Sequence, residues 1–151
     1  MLTKITDLPN AEKILLEYVR SKNFLTRKCQ ALVIDKIPNA EEILLELVNN
    51  RWCIFKENQI KIFDFPQAEK ILLKHTQNGW RLCHEAQIKL CNYPFAPSIL
   101  LEHINHNFEL CYKAQIKIME QPYAKSIMKA YIEHNGELYD DIAKKFINLI
   151  R

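Results

Sequence analysis

The phrase Pro-x-Ala-x-x-Ile occurs five times, opening at Pro9, Pro38, Pro66, Pro94 and Pro122, so it returns after 29 residues once and after 28 thereafter. A fixed period of this size constrains the chain more than any other feature. Such a unit is one supersecondary element that cannot bury its own apolar face and does so by stacking on its neighbours. Only two glycines, Gly79 and Gly136, stand in 151 residues, which argues against tight β-hairpins and against a glycine-rich phosphate loop. The expectation is an all-α chain, a right-handed α-solenoid of five two-helix repeats in a single repeat domain over 1–151. The repeats are placed at 9–37, 38–65, 66–93, 94–121 and 122–151, with a half-repeat or cap over 1–8.

In each copy the positions at +2, +5, +6, +9 and +10 from the proline are mostly apolar, as in Ala40, Ile43, Leu44, Leu47 and Val48, which is helical spacing with one wide buried face. Alanine stands at +2 and isoleucine at +5 in all five copies, and the small residue permits close approach of a neighbouring helix. Proline suits a helix entry, where its missing N–H costs nothing, and Asp64 with Gln67 is spaced for a capping box. Stops are expected near Asn50, Gly79, Asn107 and Asn135, residues that tolerate the left-handed backbone. A second helix is then predicted over 54–63, 82–91 and 110–119. Each of these carries the phrase Gln-Ile-Lys at Gln59, Gln87 and Gln115, with Gln30 in the same position of the first copy. In the fifth copy Ala143 replaces the glutamine among Asp140, Asp141, Lys144 and Lys145, as expected of a capping unit with a polar outer face. Residues 2–9 align with 59–66, so the chain is expected to open partway through a second helix, as a front cap or as a piece of a longer array.

Two-helix units of this kind resemble the HEAT and armadillo class of α-solenoids, in particular short HEAT-like and leucine-rich-variant repeats, over nearly the whole chain. The resemblance is one of architecture, because the period is shorter than the roughly 40 to 47 residues of standard units, and it assigns no functional residue.

Core positions must repeat, whereas a recognition surface need not. One exposed position of the second helix reads Arg27, Lys56, His84, Tyr112 and Asp140, and three residues earlier stand Phe24, Cys53, Arg81, Glu109 and Glu137. Arg27, Lys56, Arg81, His84 and Tyr112 are therefore the candidate partner-binding surface, weighed against an ordinary solvated face. A lysine row at Lys61, Lys89, Lys117 and Lys145, continued by Lys4, is spaced to follow a phosphate backbone. Against that, Asp7, Asp64 and Glu120 lie three residues beyond Lys4, Lys61 and Lys117 and are placed to pair with them. The glutamines are expected to be buried and hydrogen-bonded to structure, and Trp52, Trp80 and Phe108 are expected to fill the seam between units.

A formal charge of +3 is mild for a dedicated nucleic-acid binder. The five cysteines form no C-x-x-C pair and sit in apolar helical patterns, which suits small core residues in a reducing compartment. His103 and His106 lack a third ligand at metal spacing, no catalytic motif is present, and no run approaches the roughly 20 apolar residues of a membrane span. The expected function is a non-catalytic, cytoplasmic scaffold for a protein or peptide, with no metal, no cofactor and no membrane partner. Nucleic acid or another polyanion bound by the lysine row is the alternative, and self-association through the terminal repeats a third.

Overall fold

A computed structural model describes residues 2–151, with side chains from Lys4 onward. Every regular element among them is helical. A single turn, α1 (Leu2–Ile5), precedes α2 (Ala11–Arg20), α3 (Arg27–Lys36), α4 (Ala40–Asn49), α5 (Lys56–Ile62), α6 (Ala68–Gln77), α7 (His84–Leu90), α8 (Ala96–Asn105), α9 (Tyr112–Met119), α10 (Ala124–Glu133) and α11 (Asp140–Ile150). The chain divides into two compact units, Met1–Trp80 with α1 to α6 and Arg81–Arg151 with α7 to α11. In the first, α2 packs on α4 and α4 on α6 in one layer, and α1 on α3 and α3 on α5 in the other. In the second, α8 packs on α10, while α7 packs on α9 and α9 on α11. Helices thus stack in chain order within each unit, which is the all-α, consecutive arrangement the period predicts.

The proline stands in a turn ahead of the helix. Ala11, Ala68, Ala96 and Ala124 each donate their N–H to the carbonyl three residues back at 3.1 Å, which puts the proline at the second position of a β-turn, where its fixed φ is already correct. In all five copies the helix starts at the alanine. The capping box expected of Asp64 and Gln67 does not form. Gln67 is itself the N-cap residue of α6, too early for the reciprocal bond, and its Nε2 donates to Glu41 Oε2 at 3.0 Å instead.

Each first helix ends on a left-handed residue: Lys22, Arg51, Gly79, Asn107 and Asn135, with φ between 64° and 92°. In the second copy this is one residue beyond the Asn50 expected; Asn50 is the C-cap, and its Nδ2 donates to the Val19 carbonyl at 3.0 Å. An extended corner follows. The second helices therefore start at Lys56, His84 and Tyr112, two residues later than expected, because Phe55, Cys83 and Cys111 hold extended backbone with ψ of 148° to 163°. Ile54, Leu82 and Leu110 are buried within the corners rather than on helices.

The buried stripe is the predicted one: α4 buries Ala40, Ile43, Leu44, Leu47 and Val48. Truncating one such leucine to alanine costs about 2 to 5 kcal/mol. At the other end, α11 buries Ile142 and Phe146 but leaves Ile147, Leu149 and Ile150 between 44 and 48% exposed. The polar outer face expected of a cap is thus confined to the first half of that helix. The half-repeat expected over 1–8 corresponds to α1 and its turn; Met1 lies outside the described residues.

Candidate functional site

An extended corner leaves its N–H and C=O groups without helical partners, and buried ones must be satisfied. The repeated glutamine does this. Gln87, buried on α7, donates from Nε2 to the carbonyl of Leu82 in its own corner (3.1 Å) and to that of Glu109 in the next (3.2 Å), while its Oε1 accepts from Cys111 N–H (2.9 Å). Gln115 repeats the pattern with Leu110 and Glu137 carbonyls (3.0 and 3.3 Å) and Tyr139 N–H (3.3 Å). Gln30 donates to Cys53 O (2.8 Å) and accepts from Phe55 N–H (3.1 Å). One side-chain amide thus bonds a corner as a neighbouring strand would. Ala143, in the fifth copy, has no amide to offer.

A second clamp was not anticipated. The position at +9 of the first helix holds His75, His103 and Tyr131, all buried. Each accepts the N–H of a buried corner residue in the preceding copy: Ile54 to His75 Nδ1 (3.1 Å), Leu82 to His103 Nδ1 (3.2 Å) and Leu110 to Tyr131 Oη (3.1 Å). Since Nδ1 of His103 accepts, the proton sits on Nε2, which donates to the Glu109 carbonyl at 2.9 Å. Burial, chiefly, pushes this imidazole down to about 4. Both ring nitrogens are spent on backbone groups, while His106, exposed, bonds back to its own helix through Nδ1 and Glu102 O at 2.9 Å. The sequence signal for this clamp was a polar side chain recurring inside an apolar stripe.

On this frame the exposed candidates fall into two groups. Arg27 and Lys56, at the starts of α3 and α5, belong to the first unit. Arg27 pairs with Glu57 at 3.1 Å, and its guanidinium lies 5.2 Å from the centre of the Phe55 ring. Arg81, His84 and Tyr112 belong to the second unit, and all three are exposed. Arg81 lies 5.6 Å over the Phe108 ring, and Tyr112 sits edge-on to Tyr139 while its hydroxyl donates to Asp141 at 2.6 Å. That bond lowers the Asp141 carboxyl and raises the Tyr112 phenol. Arg27 and Tyr112 therefore occupy one repeat position and make one kind of contact, on the next copy's aromatic and acid.

Lys61 on α5 bonds to Asp35 on α3 at 3.3 Å, and Lys36 on α3 to Asp7 in the turn after α1 at 3.0 Å. The pairing expected within one helix, Lys61 with Asp64, is displaced because α5 ends at Ile62 and Asp64 lies in the turn beyond. Lys117 Nζ reaches Asn92 Oδ1 at 3.5 Å; Lys89 is half-buried on α7 and Lys145 exposed on α11. The aromatic seam also differs from expectation. Trp52, Trp80 and Phe108 stand in the corners, Trp80 is 40% exposed with its Nε1 donating to Arg51 O (3.0 Å), and Trp52 lies tilted against Phe24 with ring centres 5.3 Å apart. All five cysteines are free thiols, and burial, above all, pushes that of Cys91 up to about 11.

At the fifth copy the aromatic position holds Gly136. A Cβ there would run into the Tyr131 ring, which needs the room because phenol is longer than the imidazole it replaces. Beside it, between the fourth and fifth corners, opens a cleft of about 580 Å³ walled by Phe108, Glu109, Tyr131, Glu137 and Tyr139 among others. No protein-family model, curated protein or solved structure matches the chain. The likeness to HEAT and armadillo repeats therefore stays one of helical architecture.

Proposed function

We propose that this chain is a non-catalytic scaffold, similar in kind to short HEAT-like or armadillo-like repeats, that presents its corners and second-helix starts to a protein or peptide. The observation that carries this is the separation of frame from display. The left-handed residue recurs at the end of every first helix, and the glutamine clamp is seen for Gln30, Gln87 and Gln115. The side chains standing on that frame differ from copy to copy, from Phe24 through Cys53, Arg81 and Glu109 to Glu137. A frame that repeats while its exposed residues vary is how solenoids write specificity. Five free thiols fit a reducing, cytoplasmic setting, and no helix among the described residues is long and apolar enough to cross a membrane.

Polyanion binding through Lys61, Lys89, Lys117 and Lys145 has less behind it, because Lys61 is held by Asp35 and Lys117 reaches Asn92. Alanine at Arg81, His84 and Tyr112 together is expected to abolish partner capture from native cell extract while leaving helicity intact. Unchanged capture removes this surface. Retention on nucleic acid at low salt, lost when the four lysines are neutralised, would favour the polyanion instead.

A further inference from the structure

In successive corners the position at +14 reads Asn23, Trp52, Trp80, Phe108 and Gly136. Three copies place an aromatic there, and the preceding copy lays a side chain on it in two: Phe24 on Trp52, and the Arg81 guanidinium on Phe108. In the fifth copy the ring is missing, and the side chain that the repeat would lay on it is Glu109. The cleft opens at this place.

Its walls have a definite chemistry. Glu109 and Glu137 are exposed, and neither carboxylate has a hydrogen-bond or ion-pair partner among the described residues. No lysine or arginine is among the lining residues. Tyr139, half-exposed, supplies the open aromatic surface, since Tyr131 is buried and the Arg81 guanidinium already lies over the Phe108 ring. Tyr131 is only 4% exposed; its oxygen accepts from Leu110 N–H, and among the described residues no acceptor takes its own proton. Its phenol is raised, first by burial and further by the charges of Glu109 and Glu137, which places a negative field over it. A cation resting on an aromatic face beside a carboxylate is already built once in this chain, where Arg27 lies over Phe55 and pairs with Glu57. The fourth and fifth corners hold the ring and the acids of that arrangement.

We infer that the cleft between the fourth and fifth corners receives a lysine or arginine side chain of a basic peptide segment, with Glu109 and Glu137 binding its charge. This rests on the scaffold reading and names the class of partner. A random peptide library displayed on phage, selected on the whole chain, tests both at once. Enrichment of lysine and arginine, with Glu109→Gln/Glu137→Gln weakening a synthesised enriched peptide by about tenfold or more, is the expected result. Replacing its arginines by citrulline, a neutral isostere, is expected to weaken it equally. Enriched peptides without basic residues, or an affinity that the double variant leaves unchanged, would overturn the cleft assignment. If those peptides instead lost binding with alanine at Arg81, His84 and Tyr112, the scaffold reading would stand without the cleft. No enrichment at all would sink both. Since both carboxylates are exposed and unpaired, the double variant should melt as the parent does.

Discussion

Both units carry the buried corner clamps, Gln30 and His75 in the first as Gln87 and His103 in the second, but the first adds a set of surface contacts between copies. In Met1–Trp80 much of the joining is at the surface: Arg20 reaches Glu42 and Glu46, Lys36 reaches Asp7, Lys61 reaches Asp35, and the amides of Asn50 and Asn78 cap carbonyls of the preceding first helix. In Arg81–Arg151 the positions of those asparagines hold His106 and His134, which bond back to their own helices. There the seams between copies are held by the buried side chains of Gln87, Gln115, His103 and Tyr131. Exposed ion pairs are worth about 0 to 1 kcal/mol each, because water and salt screen them and two long side chains must be ordered. A buried amide is worth more when removed than when present, since its loss strands the backbone groups it satisfied. Cohesion in the second unit thus depends mainly on its interior clamps, whereas the first supplements clamps of the same kind with replaceable surface contacts.

The sharpest way to break that contrast is Gln87→Ala. Three backbone groups, the carbonyls of Leu82 and Glu109 and the N–H of Cys111, lose a partner. At about 1 to 3 kcal/mol for each buried group left unsatisfied, three stranded groups would cost about 3 to 9 kcal/mol. His103 still bonds the Glu109 carbonyl, which favours the lower end. Asp35→Ala, which removes an ion pair of the first unit, should stay within about 1 kcal/mol. Urea unfolding of both variants measures the difference, and similar losses would refute the distinction drawn here.

Acid provides the second test. An ordinary histidine titrates near 6.5, whereas His103 in the folded protein is held down to about 4. Below about pH 6.5 the unfolded chain gains a proton that the folded chain refuses. The stability contributed by the neutral ring is therefore complete above that pH and is lost as pH falls through about 4, amounting to about 3 kcal/mol. The Leu110–Tyr131 seam has no such dependence, because a phenol with a raised pKa stays neutral throughout this window. The stability difference between the parent and His103→Asn, followed by urea unfolding from pH 7 to pH 4, should shrink on acidification. A difference that stays constant would mean that the imidazole is not held neutral.

Local periodicity made the helices legible, since Ala40, Ile43, Leu44, Leu47 and Val48 declare their face within a dozen residues, and the glutamines were readable as buried because their flanks are apolar. The corners were not. Whether Leu82 opens a helix or lies extended depends on His103, which takes its N–H from 21 residues further on, outside any local window. For the same reason the second helices were started two residues early, and Trp80, read as core, lies at the rim of an extended corner. The candidate contact positions were correctly read as exposed. The contacts of Arg27 and Tyr112 with the next copy were hidden, because they need the stacking distance as well as the sequence. Gly136 gave no sign of its cleft, since its meaning lies in what Tyr131 does beside it.

That pairing yields a smaller expected effect than the glutamine or the histidine, and the most specific one. Gly136 is not in the left-handed region, and the atoms nearest to a side chain there are those of the Tyr131 ring. Gly136→Ala should therefore cost about 1 to 3 kcal/mol as overpacking. In the fourth copy a shorter ring, His103, leaves room for Phe108 at the matching position, their centroids 5.3 Å apart. Tyr131→His should accordingly make Gly136→Phe tolerable, although each change alone is destabilising. A double-mutant cycle read by urea unfolding should show coupling of more than about 1 kcal/mol, well beyond the roughly 0.5 kcal/mol within which independent sites add. Additive losses would mean that the glycine serves some need other than the phenol, and the fifth corner could no longer be understood as the fourth with one ring exchanged for another.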